Sequence, residues 1–374
     1  KYLLMDNGSR IRARNLGIDF TGNAGKFNSI TDVPGIEVGY VTRIEGSEIR
    51  TGVTAILPRG KKGVGEPCAA AVHSFNGNGE LTGSHWIEES GSLATPILIT
   101  NTHAVGPVHQ GTIEWMLETF PDLGAQWLLP VVAETWDGYL NAINKIVITP
   151  EDAKAAIEAS KTGPIEEGSV GGGTGMNCYG YKAGSGTSSR IVQYGEKTFT
   201  VGVFLQTNFG SPDELVIRGV PIPNEDSSNN TSLEGKEKQN ESPPGAGSVI
   251  AIVATDAPLL PGQCKAMARR ISLGLARTGT SGSHFSGDIF LAFSTANAGA
   301  LTSRFNLKGA PPNQFESISF IPWGEMDIFY RATVEAVEEA VINSLVAGRD
   351  MQGRNGNMSY GLSIDRVKEK LGLK

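Results

Sequence analysis

Cysteine is scarce in this chain: Cys68, Cys178 and Cys264 are the only three in 374 residues, and no two form a Cys-x-x-Cys pair. An odd number at wide spacing argues against a disulfide framework or a cysteine zinc site, and three reduced, buried thiols are expected. Aromatic residues are also few, at 7%. No apolar run approaches the roughly 20 residues of a bilayer-spanning helix, so no membrane partner is expected. A basic excess is missing too. The formal charge of -7 offers no electrostatic footprint for nucleic acid. The opening KYLLMDNGSRIRARNLGI lacks the apolar core and small-residue cleavage site of a secretory signal. Cytoplasm is the expected compartment, or periplasm if a signal was removed earlier.

Several familiar motifs are absent as well. His73, His85, His103, His109 and His284 form no HExxH or other metal-ligand spacing, and structural histidines are expected. The glycine cluster from Gly168 to Gly175 has neither the GxxxxGK[ST] nor the GxGxxG pattern, which points to tight turns and not a nucleotide cradle. There is no GxSxG elbow of a conventional serine hydrolase.

What the chain has is glycine, 48 residues of it, and many short apolar runs. Strands are expected in GIEVGYV from Gly35, GVTAILP from Gly52, CAAAVHSF from Cys68, PILITNT from Pro96, LLPVVAET from Leu128 and KIVIT from Lys145. Others are FTVGVFLQT from Phe199, SVIAIVAT from Ser248, DIFLAFST from Asp288 and SISFIP from Ser317. Continuous apolar runs of this kind suit sheets covered on both faces. Helical patterns fall at Pro150 to Lys161, with Thr149 as N-cap, at Cys264 to Ala276, and at Glu325 to Val346, where Glu335, Glu338 and Glu339 are expected on a wet face. A short helix from Asp365 closes the chain. The pattern predicts a layered α/β sandwich.

One junction concentrates the chemistry. The polar tract NEDSSNNTSLEGKEKQNESPPGAG, from Asn224 to Gly247, contains Leu233 as its only large apolar side chain and cannot order itself by burial. It stops at Ser248, the first residue of a strongly β-forming run. Cutting Gly247–Ser248 would create an N-terminal serine whose own α-amine could serve as the base its hydroxyl lacks. Taken alone, a polar linker before a strand is more often a plain connection. Ser286 and Asp288, two apart at the entry to the next strand, point the same way and can hold an ammonium or orient a hydroxyl, or merely shape a turn.

At these residues the sequence resembles the DmpA family of self-processing aminopeptidases, which includes the L-aminopeptidase/D-Ala-esterase/amidase and the β-peptidyl aminopeptidases. The resemblance rests on the Gly247–Ser248 junction, TDVPGIEVGY, TNTHAVGPVHQG, VAETWDG, GGGTGMNCYGYKAGSGTSSR, ATDAPLLPGQ, GLARTG and SGDIFLAFSTAN, from about Thr31 to about Asn297. It implies a four-layer αββα sandwich like that of N-terminal nucleophile hydrolases but differently connected. It also implies a precursor that cuts itself into associated chains 1–247 and 248–374, often assembled as tetramers, with neither metal nor organic cofactor. The substrates would be peptides, amides or esters with a free amine.

By the same resemblance Ser248 matches the nucleophile, and Ser286 and Asp288 match the pair that positions its amine and hydroxyl, although other members carry glutamate at the latter position. Asn208 matches an oxyanion donor, with Tyr139 as a second candidate for that pocket. Glu134 is a candidate for pairing with the substrate's amine, against a structural strand-end role. Two rival readings are a transferase of the related ornithine acetyltransferase architecture, which uses a threonine nucleophile, and an idle scaffold joined by a linker.

Overall fold

The computed structural model describes residues 11–224, 246–303 and 314–374. Apart from its two ends, the tail expected between Asn224 and Gly247 lies outside the described residues.

Two sheets lie face to face. In the first, strands β1 (Glu37–Glu45), β2 (Ile49–Leu57), β5 (Ile97–Asn101) and β6 (Val131–Thr135) pair in that order, with β5 and β6 parallel. In the second, the order is β4 (Ser92–Leu93), β3 (Cys68–Ser74), β14 (Ser286–Ser294), β13 (Gly247–Thr255), β10 (Lys197–Asn208) and β9 (Ser185–Tyr194). Its ladders are antiparallel except between β13 and β14. Short two-stranded ladders join β7 (Asn177–Cys178) to β8 (Tyr181–Lys182), β11 (Val216–Ile217) to β12 (Val220–Pro221), and β15 (Met351–Gln352) to β16 (Met358–Ser359).

Strand alternation explains the layering. Along β13, Ile250, Ile252 and Ala254 point toward the first sheet and pack with Ile56, Ile97 and Ile99. Val249, Ala251 and Val253 point the other way, toward helices α4 (Pro261–Ala276) and α5 (Asp327–Ala347), meeting Met267, Ile271, Val337 and Val341. On the outside of the first sheet, Val53, Ala55, Leu98 and Val132 pack with Val108 and Trp115 of α2 (Val105–Thr119) and with Ala153 and Ile157 of α3 (Pro150–Glu158). Three apolar interfaces separated by two sheets make the αββα sandwich that the resemblance implies. Two shorter helices, α1 (Ser84–Ser90) and α6 (Ile364–Leu371), complete the described elements used below.

Helix α3 starts as expected. Thr149 Oγ1 accepts from Asp152 N at 3.4 Å, and Asp152 Oδ2 accepts from Thr149 N at 2.8 Å, a reciprocal cap. The three thiols are free and buried, and burial pushes Cys68 up to about 11.

Three expectations are corrected. KIVIT is no strand: Ile143–Lys145 forms a 3-10 turn, exposed Ile146 takes a left-handed φ of 46°, and only Ile148 reaches the core under α3. SISFIP forms no ladder either. Ile321 alone is buried there, anchored by its N–H to Pro258 O at 2.9 Å. Glu338 and Glu339 are not wet but buried at 3% and 0% exposure. Glu339 meets Arg14 at 2.8 Å and Arg190 at 2.7 Å, and Glu338 meets Arg218 at 2.9 Å and Arg277 at 3.2 Å. Cations from other segments come down onto a helix face that its own sequence marks as solvent-facing.

Helices α4 and α5 touch at Gly274, where an added Cβ would lie 2.5 Å from Val337 Cβ. Gly274→Val is expected to force the helices apart and cost about 1–3 kcal/mol. Urea unfolding measures this, and an unchanged midpoint would show that the contact does not set the helix spacing.

Candidate active site

Ser248 stands second in β13 and is 2% exposed. It pairs across the antiparallel ladder with Asn208, the last residue of β10. Following the alternation of both strands, the two side chains lie on the face between the sheets, beyond Ile250 and Gln206. Opposite them, just past the end of β6, the Trp136 backbone N–H donates to Ser248 Oγ at 3.4 Å. The Trp136 carbonyl accepts from Asn208 Nδ2 at 2.9 Å, and Asn208 Oδ1 accepts from Asn177 N at 3.1 Å. Three chain segments therefore converge on one serine hydroxyl and one carboxamide.

The preceding residue has to be glycine for reasons of room. A Cβ at Gly247 would lie 1.9 Å from Asn208 O, which no side-chain adjustment could relieve because the obstacle is backbone. Gly287, opposite Ser248 in the parallel ladder, is hemmed in the same way, since a Cβ there would lie 2.2 Å from Asn78 O.

Ser286 and Asp288 come together as the spacing suggests. Ser286 Oγ donates to Asp288 Oδ1 at 2.6 Å, and Asn76 Nδ2 donates to Asp288 Oδ2 at 3.1 Å. In register these two flank Ser248, with Ser286 beside Gly247 and Asp288 beside Val249. Paired residues share a sheet face, so the pair lies on the face opposite the Ser248 side chain, next to the backbone of 247–249. The Val249 amide also favours the Asp288 carboxylate, while burial, the larger effect, pushes its pKa up. The pair is thus better placed for the nitrogen of Ser248 than for its hydroxyl.

Glu134 is the penultimate residue of β6 and is 3% exposed. Glu80 N donates to Oε1 at 2.9 Å, and Thr102 Oγ1 donates to Oε2. Burial raises its pKa against those hydrogen bonds. A Cβ on Gly79 would sit 3.1 Å from Glu134 Oε1 and 3.3 Å from Gly287 Cα, so this bare backbone bridges Glu134 and β14. Tyr139 is 41% exposed, and its hydroxyl donates to Met358 O at 3.1 Å. At Ser248 it is Trp136, three residues earlier, that makes the contact. The donors Trp136 N, Asn177 N and Glu80 N escape sequence reading because every residue type but proline carries the same N–H. Asn76, in the glycine-flanked SFNGNGE, was open to recognition as a side-chain partner. Among the described residues, no group of three or more His, Cys, Asp and Glu side chains could hold a metal ion.

The turn carrying Trp136 is anchored from below by Asp137, whose Oδ1 accepts from Asn141 Nδ2 at 2.9 Å. Its carbonyl accepts from Leu140 N and Asn141 N at 3.1 and 2.9 Å. Burial pushes the Asp137 carboxyl up to about 7, opposed by Thr51, Asn141 and Asn101.

The fold is a variant of the N-terminal nucleophile hydrolase type. The L-aminopeptidase D-Ala-esterase/amidase of Ochrobactrum anthropi, described as a new variant among the Ntn hydrolase fold, matches with a TM-score of 0.85 and 40% identity over 96% of this chain and 98% of that one. A Burkholderia sp. beta-aminopeptidase also gives 0.85, at 41% identity over 97% of this chain and 98% of the other. Residues 28–359 match peptidase family S58, and the chain belongs to that family. The beta-peptidyl aminopeptidase BapA of Sphingosinicella microcystinivorans is 44% identical over 366 residues, which span 92% of this chain and 88% of the relative. The protein is an aminopeptidase of the hydrolase class.

The raised pKa of Asp137 fixes a sign. Its protonated form is favoured in the fold, so its contribution is complete below the ordinary carboxyl pKa of 3.8 and is lost as pH rises through about 7. Asp137→Asn keeps an uncharged side chain with the same acceptor. Relative to the parent, it is expected to be more stable at about pH 8 than at about pH 5, by up to about 1.4 kcal/mol for each pH step between 5 and 7. Urea unfolding at the two pH values measures this, and equal differences would mean that Asp137 titrates normally.

Proposed function

We propose that Ser248 is the nucleophile of this aminopeptidase and that self-cleavage of the Gly247–Ser248 bond frees it, leaving associated chains 1–247 and 248–374. The observation that carries this reading is the cross-strand pair of Ser248 and Asn208, with Trp136 N on the serine oxygen and Gly247 pressed against Asn208 O.

In precursor cleavage, Ser248 Oγ attacks the Gly247 carbonyl carbon. The C–N bond breaks as the C–O bond forms, and the Ser248 nitrogen takes the proton and becomes an amine. Water then opens the ester, giving the Gly247 carboxylate and restoring the hydroxyl. Catalysis repeats the chemistry on a substrate: the α-amine takes the hydroxyl proton as Oγ attacks the scissile carbonyl, and the leaving group departs with a proton. Water releases the acyl group. An α-amine has a reference pKa of about 7.7–8.0, so it is substantially neutral in mildly alkaline solution. Ser286 and Asp288 hold that amine from the far face of the strand. Asn208 Nδ2 and Trp136 N are the donors nearest the developing oxyanion. Tyr139 is left for the wall of the substrate site.

Glu134 receives the substrate's free amine. A buried carboxylate with a raised pKa gains most from an ammonium partner, and an acylated substrate would leave it unpaired. The substrates are short peptides, amides and esters with an unblocked amine. A β-peptidyl preference is a second reading, supported by the names of the relatives from Sphingosinicella. Assembly of the two-chain units into a homo-oligomer, a tetramer by the resemblance, is supported by an apolar groove of about 610 Å³ lined in part by Trp86, Trp127 and Leu129.

Intact mass of the denatured protein is the deciding measurement. Two species breaking between Gly247 and Ser248 are expected, and Ser248→Ala should give one full-length species without activity on an aminoacyl p-nitroanilide. Activity surviving that change would overturn the mechanism. Asn208→Ala is expected to lower kcat by about 10²–10³. Matched α- and β-aminoacyl anilides separate the two specificities.

A further inference from the structure

We propose that Lys182 is a positioning residue for Asn208, acting through the peptide unit between Met176 and Asn177. The proposal rests on the reading of Asn208 as an oxyanion donor.

Lys182 lies in β8 with its side chain fully buried, and no carboxylate pairs with it among the described residues. Its Nζ donates to Met176 O at 2.9 Å and to Ala183 O at 2.8 Å. Ala183 N also donates to Met176 O, at 3.1 Å. The carbonyl of the Met176–Asn177 peptide is thus gripped twice. The same rigid unit carries the Asn177 N–H, which in a trans peptide points away from the carbonyl. That N–H meets Asn208 Oδ1 at 3.1 Å.

A carboxamide can be flipped at little steric cost, so its orientation is decided by its partners. With Asn177 N on Oδ1, the Asn208 amide must turn Nδ2 toward Trp136 O and the Ser248 side of the pocket. A released 176–177 peptide could rotate, and the carboxamide would lose one of the two contacts that tell its oxygen from its nitrogen, keeping only Trp136 O on Nδ2. Lys182 therefore reaches the oxyanion donor through one peptide plane without touching substrate.

The amine also matches its surroundings in number. A neutral amine has two N–H bonds, and two carbonyls receive them. Burial pulls Lys182 down to about 7, in keeping with a group that works as a neutral double donor. An ammonium would bring a third N–H, and among the described residues neither a third acceptor nor a counter-ion meets it. What a lysine supplies here and an apolar side chain of the same length would not is the pair of hydrogen bonds.

The test is a double-mutant cycle on processed enzyme, with the processed fraction counted by mass. Lys182→Met keeps the length and loses the donors. It is expected to lower kcat on an aminoacyl p-nitroanilide about tenfold, a fraction of what losing a donor outright costs, with KM changed less than about twofold. Lys182→Gln, which retains an N–H donor, should recover part of the loss. In an Asn208→Ala background, neither change should lower kcat further. An unchanged kcat in Lys182→Met, or the same fold-loss in the Asn208→Ala background, overturns the proposal. If the methionine variant is insoluble, Lys182→Leu, which also lacks the donors, is read by the same two criteria. If Asn208→Ala itself leaves kcat intact, the oxyanion role of Asn208 fails and this proposal with it. A loss in Asn208→Ala without one in the lysine variants rejects Lys182 alone.

Discussion

The rest of the site depends on how closely β10 and β13 approach at their shared end. With Gly247 against Asn208 O, the strands stay paired to the last residue of β10, and Ser248 meets Asn208 directly across the ladder. A bulkier residue there would splay the strands where the hydroxyl and carboxamide need a common face. The parallel ladder on the other side of β13 supplies the second half of the constraint, setting Gly287 beside Ser248 and spacing Ser286 and Asp288 along the neighbouring backbone. Glycine acts here by absence: Gly79, Gly247 and Gly287 each yield space to another segment's carbonyl, carboxylate or backbone.

The buried charges follow a division of labour. Far from the serine, Glu338 and Glu339 are paired with arginines, as burial of carboxylates requires. Near it, Glu134, Asp137, Lys182 and Asp288 are buried with hydrogen bonds but no ion pair among the described residues, and each has its pKa moved toward the neutral form. An interior that holds its ionisable groups near neutrality can accept an incoming ammonium, or a developing oxyanion, without first breaking an existing pair.

Much of the architecture was legible in the sequence because both sheets are covered on both faces, and covered strands write themselves as apolar runs. The same logic failed for KIVIT and SISFIP, where a single buried isoleucine is enough to explain the run and neither segment joins a ladder. Strand β9 went unread because its first half, SGTSSR, packs small polar residues under α5, where Ser188 Oγ donates to Ala336 O at 2.6 Å. Helix α5 misled in the opposite sense, since charge on one face signals solvent unless distant arginines arrive to cover it. At the candidate site, side chains are legible where extended geometry alone aligns them, and backbone donors are not. Ser286 and Asp288 were readable as neighbours because extended geometry alone aligns them, whereas the proximity of Trp136, Asn177 and Asn208 depends on three segments meeting across two sheets.

The strand order of the second sheet has a consequence for what any break in the connection before β13 would release. Strands β3 and β4 lie to one side of β13 and β14, and β9 and β10 to the other. The chain's final third is therefore wedged into the middle of a sheet built by the earlier part, with its apolar side chains divided between two cores. Two such pieces are interlocked and not merely docked. Pulling them apart would strip the central strands of the sheet and open both cores at once, so the joint between the fragments is as strong as the fold itself.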